Sequence, residues 1–165
     1  MAQIRSAIGV TLALLVVTLA ACSGSDAGGD SKKEGRKSPT SPEVSVTDTE
    51  PPIIVHSLSV LPGMTIGGTL VSSDDGKCLT VRGVRAEEDF VATPIWPKGT
   101  NVVRSDAAIG VSVPGYGRLA VGDRFKAAGS YWESSDERAR GIEISSDCLA
   151  EDGFIVINPD SIERG

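Results

Sequence analysis

The chain has 165 residues, enough for one domain with extensions. It carries a formal net charge of −6, 4% aromatic residues, 19 Gly and 9 Pro. This composition argues against long helices, and the acidic balance argues against a nucleic-acid binder or electrostatic docking on anionic lipid.

In chain order, Met1 to Ser6 carry one basic side chain, Arg5. Ala7 to Ala21 is apolar apart from Thr11 and Thr18. At about 15 residues the run is shorter than the roughly 20 a spanning helix needs, and it fits a signal h-region. No twin arginine precedes it, which favours the general secretory route. The run closes on Leu19-Ala20-Ala21-Cys22, and Ser23-Gly24-Ser25 makes a polar exit. This stretch resembles the lipobox of bacterial lipoproteins. The resemblance implies that residues 1–21 are a signal peptide and that Cys22 is lipidated. Cys22 then bears a thioether-linked diacylglyceryl group and a further acyl chain, such as palmitate, on its amine. The protein would sit on the cell membrane facing outside, held by acyl chains sufficient for stable anchoring. The competing reading is an ordinary signal peptide with Cys22 incidental.

There are three cysteines, and an odd count in an exported protein leaves one thiol over. With Cys22 lipidated, Cys78 and Cys148 remain as a possible disulfide, which an exported compartment permits. Closing a loop of about 70 residues would contribute on the order of 4 kcal/mol. Two buried free thiols are the alternative.

Residues 22–50 are rich in Gly, Ser, Asp, Lys, Pro and Thr, with Val44 and Val46 almost alone as apolar side chains. Such a segment buries too little surface to order itself, so a disordered tether spanning roughly 30 Å is expected. Lys32-Lys33-Glu34-Gly35-Arg36-Lys37 reads as a solvated charge run. Pro51-Pro52 opens a lead-in segment, 51–66, in which Ile53-Ile54-Val55 and Leu58 to Leu61 form an edge strand or approach.

The folded domain is expected over 67–158. Thr69 to Val71 is a short strand, and Asp74-Asp75-Gly76 is a hairpin turn whose Asp-Gly pair supplies positive φ. Leu79 and Val81 then alternate with Thr80 and Arg82, and Arg85 to Asp89 is a charged loop. Phe90-Val91-Ala92 is a strand that Pro94 ends or confines to an edge. Trp96 to Thr100 turns, and Ile109, Val111 and Val113 alternate with small or polar residues. Glu133 to Arg140 is polar and expected to be mobile, and Ile142 and Ile144 alternate with Glu143 and Ser145. Phe154-Ile155-Val156-Ile157, apolar on both faces, suggests a central or doubly covered strand. Residues 159–165 are a C-terminal tail. Short strands at intervals of roughly 10 residues predict an all-β fold, a small antiparallel barrel, with a β-sandwich as the alternative. Leu119-x-Val121-Gly122-Asp123-x-Phe125, followed by Gly129, resembles a strand entry of OB-like barrels, with a Gly-Asp corner and a later glycine for coiling.

From about Gly68 to Asn158 the chain is also similar to a family of uncharacterised small lipoproteins and secreted domains from high-GC Gram-positive bacteria. The likeness rests on Gly68 to Val71, Cys78-Leu79, Trp96-Pro97 with Gly99-Thr100, Val121-Gly122-Asp123, Gly129, Cys148-Leu149 and the terminal apolar strand. It implies fold and address and supplies no chemistry.

His56 is the only histidine, so a Ser-His-Asp or Cys-His site would need it, and zinc would lack its usual ligands. Gly115-x-Gly117-x-x-Ala120 leads to another strand instead of a helix, which removes the physical basis of a dinucleotide site. Asp74-Asp75 and Glu87-Glu88-Asp89 lack calcium-loop spacing and read as solvated turns. Trp96, Tyr116, Tyr131 and Trp132 are the candidate ligand-contact residues, a stacking face on a barrel, with core packing the competing role. The expectation is a non-enzymatic envelope binding module with no cofactor and no metal. Its partner would be an envelope protein, a wall fragment or a small molecule, not nucleic acid. One alternative is an envelope hydrolase using carboxylates or a Ser-Lys pair. Another is a structural or inhibitory surface protein acting through Glu133 to Arg140.

Overall fold

The computed structural model describes residues 43–58, 63–105 and 108–165. The signal segment, Cys22, the basic run and most of the tether lie outside the described residues, as does the stretch 59–62 of the lead-in. Eleven strands follow in order: β1 (Val44–Val46), β2 (Ile54–His56), β3 (Met64–Ser72), β4 (Leu79–Arg85), β5 (Glu88–Pro97), β6 (Asn101–Ser105), β7 (Ala108–Val113), β8 (Gly117–Ala120), β9 (Arg124–Trp132), β10 (Phe154–Ile157) and β11 (Glu163–Arg164). Among the described residues no helix is long and apolar enough to cross a membrane.

Strands β3, β4, β5, β10 and β9 close into a five-strand barrel, in that order, with β9 returning to β3. In sequence order this is a 1-2-3-5-4 arrangement, the connectivity of an OB-like barrel. One expectation needs correction: the barrel is mixed, not antiparallel. β10 runs parallel to β5, pairing Phe154 with Thr93 and Val156 with Ile95. The strand that closes the circle arrives after β6 to β9, so it lies between β5 and β9 and pairs with both. All four of its residues are buried, as its unbroken apolar run predicted.

β5 does not stop at Pro94. It continues to Pro97, because its β4 neighbour ends at Ala92 and its β2 neighbour begins at Ile95. Thr93 donates to Gly153 O on the β10 side, so the next residue's nitrogen faces the gap between β4 and β2. A proline there forfeits no ladder bond.

The barrel interior holds Ile66, Leu70, Val81, Phe90, Trp96, Phe125 and Ile155, and the separate β6-β7-β8 sheet adds Val111, Val113 and Leu119 to the same core. The Gly122-Asp123 corner behaves as its sequence suggests. Gly122 has φ +95°, its N–H donates to Leu70 O, and Asp123 O accepts from Leu70 N. Gly129 is needed where β9 coils: a Cβ there would collide with Val156 O and Ile66 Cδ1.

A second apolar cluster lies outside the barrel, with Ile54, Ile95, Trp132, Phe154 and Val156 at its centre. Val44, Val46, Ile142 and Ile144 pack over it. Three departures from expectation follow. Val44 and Val46, placed in the tether, form strand β1 against β2, so the ordered chain begins before residue 50. Glu133 to Arg140 is built instead of loose: it carries a 3-10 turn at Glu137–Ala139, capped by the Asp136 carboxylate, with Ala139 buried. The tail is not loose either, because β11 pairs with β9 at Glu163–Lys126 and Arg164–Phe125. Ile142 and Ile144 are half-buried without joining a ladder.

Candidate functional site

Cys78 and Cys148 form a disulfide with Cα atoms 5.2 Å apart, across 70 residues of sequence. It joins the loop between β3 and β4 to the segment between β9 and β10. OB-like barrels take ligands over the outer face of their second and third strands and between these same two loops. Here the segment before β10 already lies against the edge of the third barrel strand. Residues 148–152 lie along β5: Thr93 Oγ1 donates to Cys148 O (2.9 Å) and accepts from Ala150 N (2.8 Å), and Asp152 Oδ2 accepts from Val91 N (2.7 Å). What stays open between the loops is a groove of about 450 Å³ beside the disulfide, walled by Ser73, Asp74, Asp75 and Lys77 on one side and Ser145 and Asp147 on the other. Pro52 forms its end and shares it with a neighbouring hollow of about 490 Å³ that reaches Arg104 and Ile109.

The near wall is a tight turn. Gly76 has φ +71°, and its N–H donates to Ser73 O. Asp75 Oδ1 accepts from Ser73 Oγ (2.6 Å) and from Lys77 N (3.1 Å), and Asp75 Oδ2 pairs with Lys77 Nζ at 3.2 Å. The Ser73 hydroxyl first, and Lys77 after it, hold the Asp75 carboxyl down at about 2. Arg104 is committed to Glu50 O through Nε and Nη2.

This arrangement limits the chemistry. Ser73 and Lys77 are a Ser-Lys pair in sequence, but the hydroxyl donates to Asp75 and the ammonium is ion-paired, so no neutral amine is aimed at the serine. A glycosidase needs one neutral carboxyl facing one ionised carboxylate. Asp75, ionised and fixed in its turn, can fill only the second role.

The four aromatic candidates do not share one face. Trp96 is fully buried inside the barrel, tilted against Phe125 at 6.3 Å between ring centroids. Trp132 belongs to the outer cluster, under the Arg138 guanidinium at 4.8 Å. Tyr131 packs edge-on to Phe90 at 5.4 Å with Arg85 over its ring, and burial raises its pKa. Tyr116 is half-buried in the β7–β8 hairpin turn against the main core. Gly115 and Gly117 belong to the same turn, with φ +78° and +98°, which accounts for both glycines.

His56 is 2% exposed. Its Nδ1 accepts from Leu58 N (3.2 Å), which leaves Nε2 to donate to Ile157 O (2.8 Å). Burial lowers its pKa, against the opposing pull of the Ile157 carbonyl. It clasps β2 to the end of β10. Among the described residues no three His, Cys, Asp or Glu side chains group as a metal site.

Sequence reasoning located the disulfide but missed the groove. Asp74 and Asp75 read as a turn, and nothing in the sequence brings Asp147 opposite them. The only usable signal was the pairing of Cys78 with Cys148, which makes their neighbours neighbours. The chain matches no family model, no curated protein and no solved structure.

Proposed function

We propose that the chain is a lipid-anchored binding module of the bacterial cell envelope. It is exported under residues 1–21, held to the membrane through Cys22, and takes its ligand in the groove between loops 73–78 and 145–149. The Leu19-Ala20-Ala21-Cys22 signature supports the address. The disulfide across the two loops supports the groove, because it fixes the spacing of both walls before any ligand arrives, which lowers the cost of binding. The choice of loops is an analogy with OB-like barrels. Asp74 and Asp147 on the walls, with Asp75 already paired to Lys77, favour an amine-bearing wall fragment or a basic protein segment.

Two measurements test this. In a bacterial host, an alkyne-tagged fatty acid labels the wild type and not Cys22→Ala, which leaves the membrane fraction. An unlabelled wild type ends the anchor reading. A photo-cross-linking residue at position 74 or 147 captures one defined adduct, which the same residue at position 163 does not. Equal capture at all three positions ends the groove reading.

A further inference from the structure

We propose that the concave outer face shared by β3, β4 and β9 binds the phosphoryl group of a phosphorylated sugar or polyol through Arg82, Arg124 and Lys126. The hollow holds about 400 Å³. It does not share the loop groove's residues, so it stands or falls independently of the reading above.

Register brings the cations together. Thr69 pairs with Arg82 on one side and with Arg124 on the other, so the three form one row across neighbouring strands. Adjacent strands bring paired Cα atoms to about 5 Å, which sets the arginine backbones roughly 10 Å apart with the Thr69 hydroxyl between them. Two guanidinium groups converging from that separation suit one oxyanion, which each can hold bidentately. Lys126 stands two residues along β9 and pairs with Gly67. In a chain of net charge −6, none of these three cations is ion-paired among the described residues, where the ion pairs are Lys77–Asp75 and Arg138–Asp136; Glu163 stands opposite Lys126 across β9 and β11. Val84, 63% exposed, gives an apolar shoulder, and Asp89, its partner across β4–β5, is placed to accept from ligand hydroxyls.

The floor supplies a second, independent observation. Gly68 and Gly83 are dictated by packing: a Cβ on Gly68 would lie 2.5 Å from Val81 Cγ1 and 2.8 Å from Arg82 O, and one on Gly83 would run into Gly67 O and the Phe90 ring. Gly67 is different. A Cβ there would meet only Lys126 Cγ and Phe125 O, both at 3.9 Å, in ordinary contact. Glycine inside a strand serves where the chain bends or where a backbone or ligand approaches closely; β3 passes from β9 to β4 beside Gly67, and the missing side chain also leaves the floor of the hollow open to a ligand.

The test is an amide chemical-shift titration of the full chain in zwitterionic micelles with sn-glycerol 3-phosphate. Saturable shifts are expected at 67–69, 82–84 and 124–126, with competition by inorganic phosphate. Arg82→Gln and Arg124→Gln each weaken binding about tenfold or more. Gly67→Val fills the floor and abolishes binding while the melting temperature holds or rises. Arg140→Gln, a cation elsewhere on the surface, changes nothing. No saturable shift at 10-fold above millimolar ligand, on the order of the weakest specific affinities, overturns the proposal. So does binding that survives Gly67→Val and both arginine variants. Shifts obtained only with phosphatidylglycerol vesicles make the face a lipid contact and likewise overturn it.

Discussion

Replacing Cys78 and Cys148 together by alanine removes the bond between the groove walls. With a sequence separation of 70, the chain-entropy model gives about 4.4 kcal/mol at 25 °C for the freedom returned to the unfolded chain. The native walls lose less, because Thr93 still holds Cys148 O and Ala150 N, and Asp152 still holds Val91 N. Both sulfurs are buried, so alanine leaves small voids that add to the loss. The assay is urea unfolding followed by tryptophan fluorescence. Trp96 reports on the barrel core and Trp132 on the outer cluster, so two sites are read at once. With a slope of roughly 1.5 kcal/mol per molar urea, the midpoint falls by about 3 M, with both tryptophans moving together. A loss below about 1 kcal/mol refutes the reasoning. It would mean that the unfolded chain already keeps positions 78 and 148 close, so the bond removes little freedom.

His56 is neutral in the fold with its pKa held below the ordinary value, so stability is complete above about pH 6.5 and declines as pH falls through that point. The slope is at most about 1.4 kcal/mol per pH unit, and His56→Gln flattens it; an equal slope in both proteins, read from urea midpoints between pH 7 and 5, refutes the assignment. The two-residue turn after β4 holds Ala86 at φ +51° and Glu87 at φ +72°. Ala86→Asn with Glu87→Gly relieves both and raises stability by about 1–2 kcal/mol, seen as a melting temperature higher by roughly 3–8 °C; no rise contradicts the strain. Thr93→Val strips a buried carbonyl and a half-buried N–H of their partner, costing about 1–3 kcal/mol by chemical denaturation, whereas a loss under about 0.5 kcal/mol would show the hydroxyl to be idle.

Much of the barrel was legible because its strands alternate and its corners carry glycine. Asp74-Asp75-Gly76, Gly122-Asp123 and the run Phe154 to Ile157 each predict their own conformation from local chemistry. Strand direction was not legible. Whether β10 lies parallel to β5 depends on which strands it meets, and alternation is the same in either sense. Pro94 misled for a similar reason: its cost depends on a neighbour's absence, which no local rule reports. Val44 and Val46 looked too sparse to order anything, and Ile142 and Ile144 read as one more alternating piece, yet together they cover the outer cluster from segments nearly a hundred residues apart. The groove combines distant loops and the β3-β4-β9 hollow combines distant strands, so neither has a signature in one stretch of sequence. The aromatic residues drew attention by type; Trp96 and Trp132 are buried in packing, while Tyr116 and Tyr131 stay half-exposed in different parts of the fold.

The circle of strands is completed by residues 154–157, which follow the other four barrel strands in the chain. Until they emerge, β5 and β9 each lack a partner, and His56 has no carbonyl to clasp. Synthesis from the amino end therefore cannot lock the barrel early, and a chain cut short of Phe154 has an open seam. A chain that has not yet made Phe154 keeps the facing edges of β5 and β9 open to any other strand that meets them.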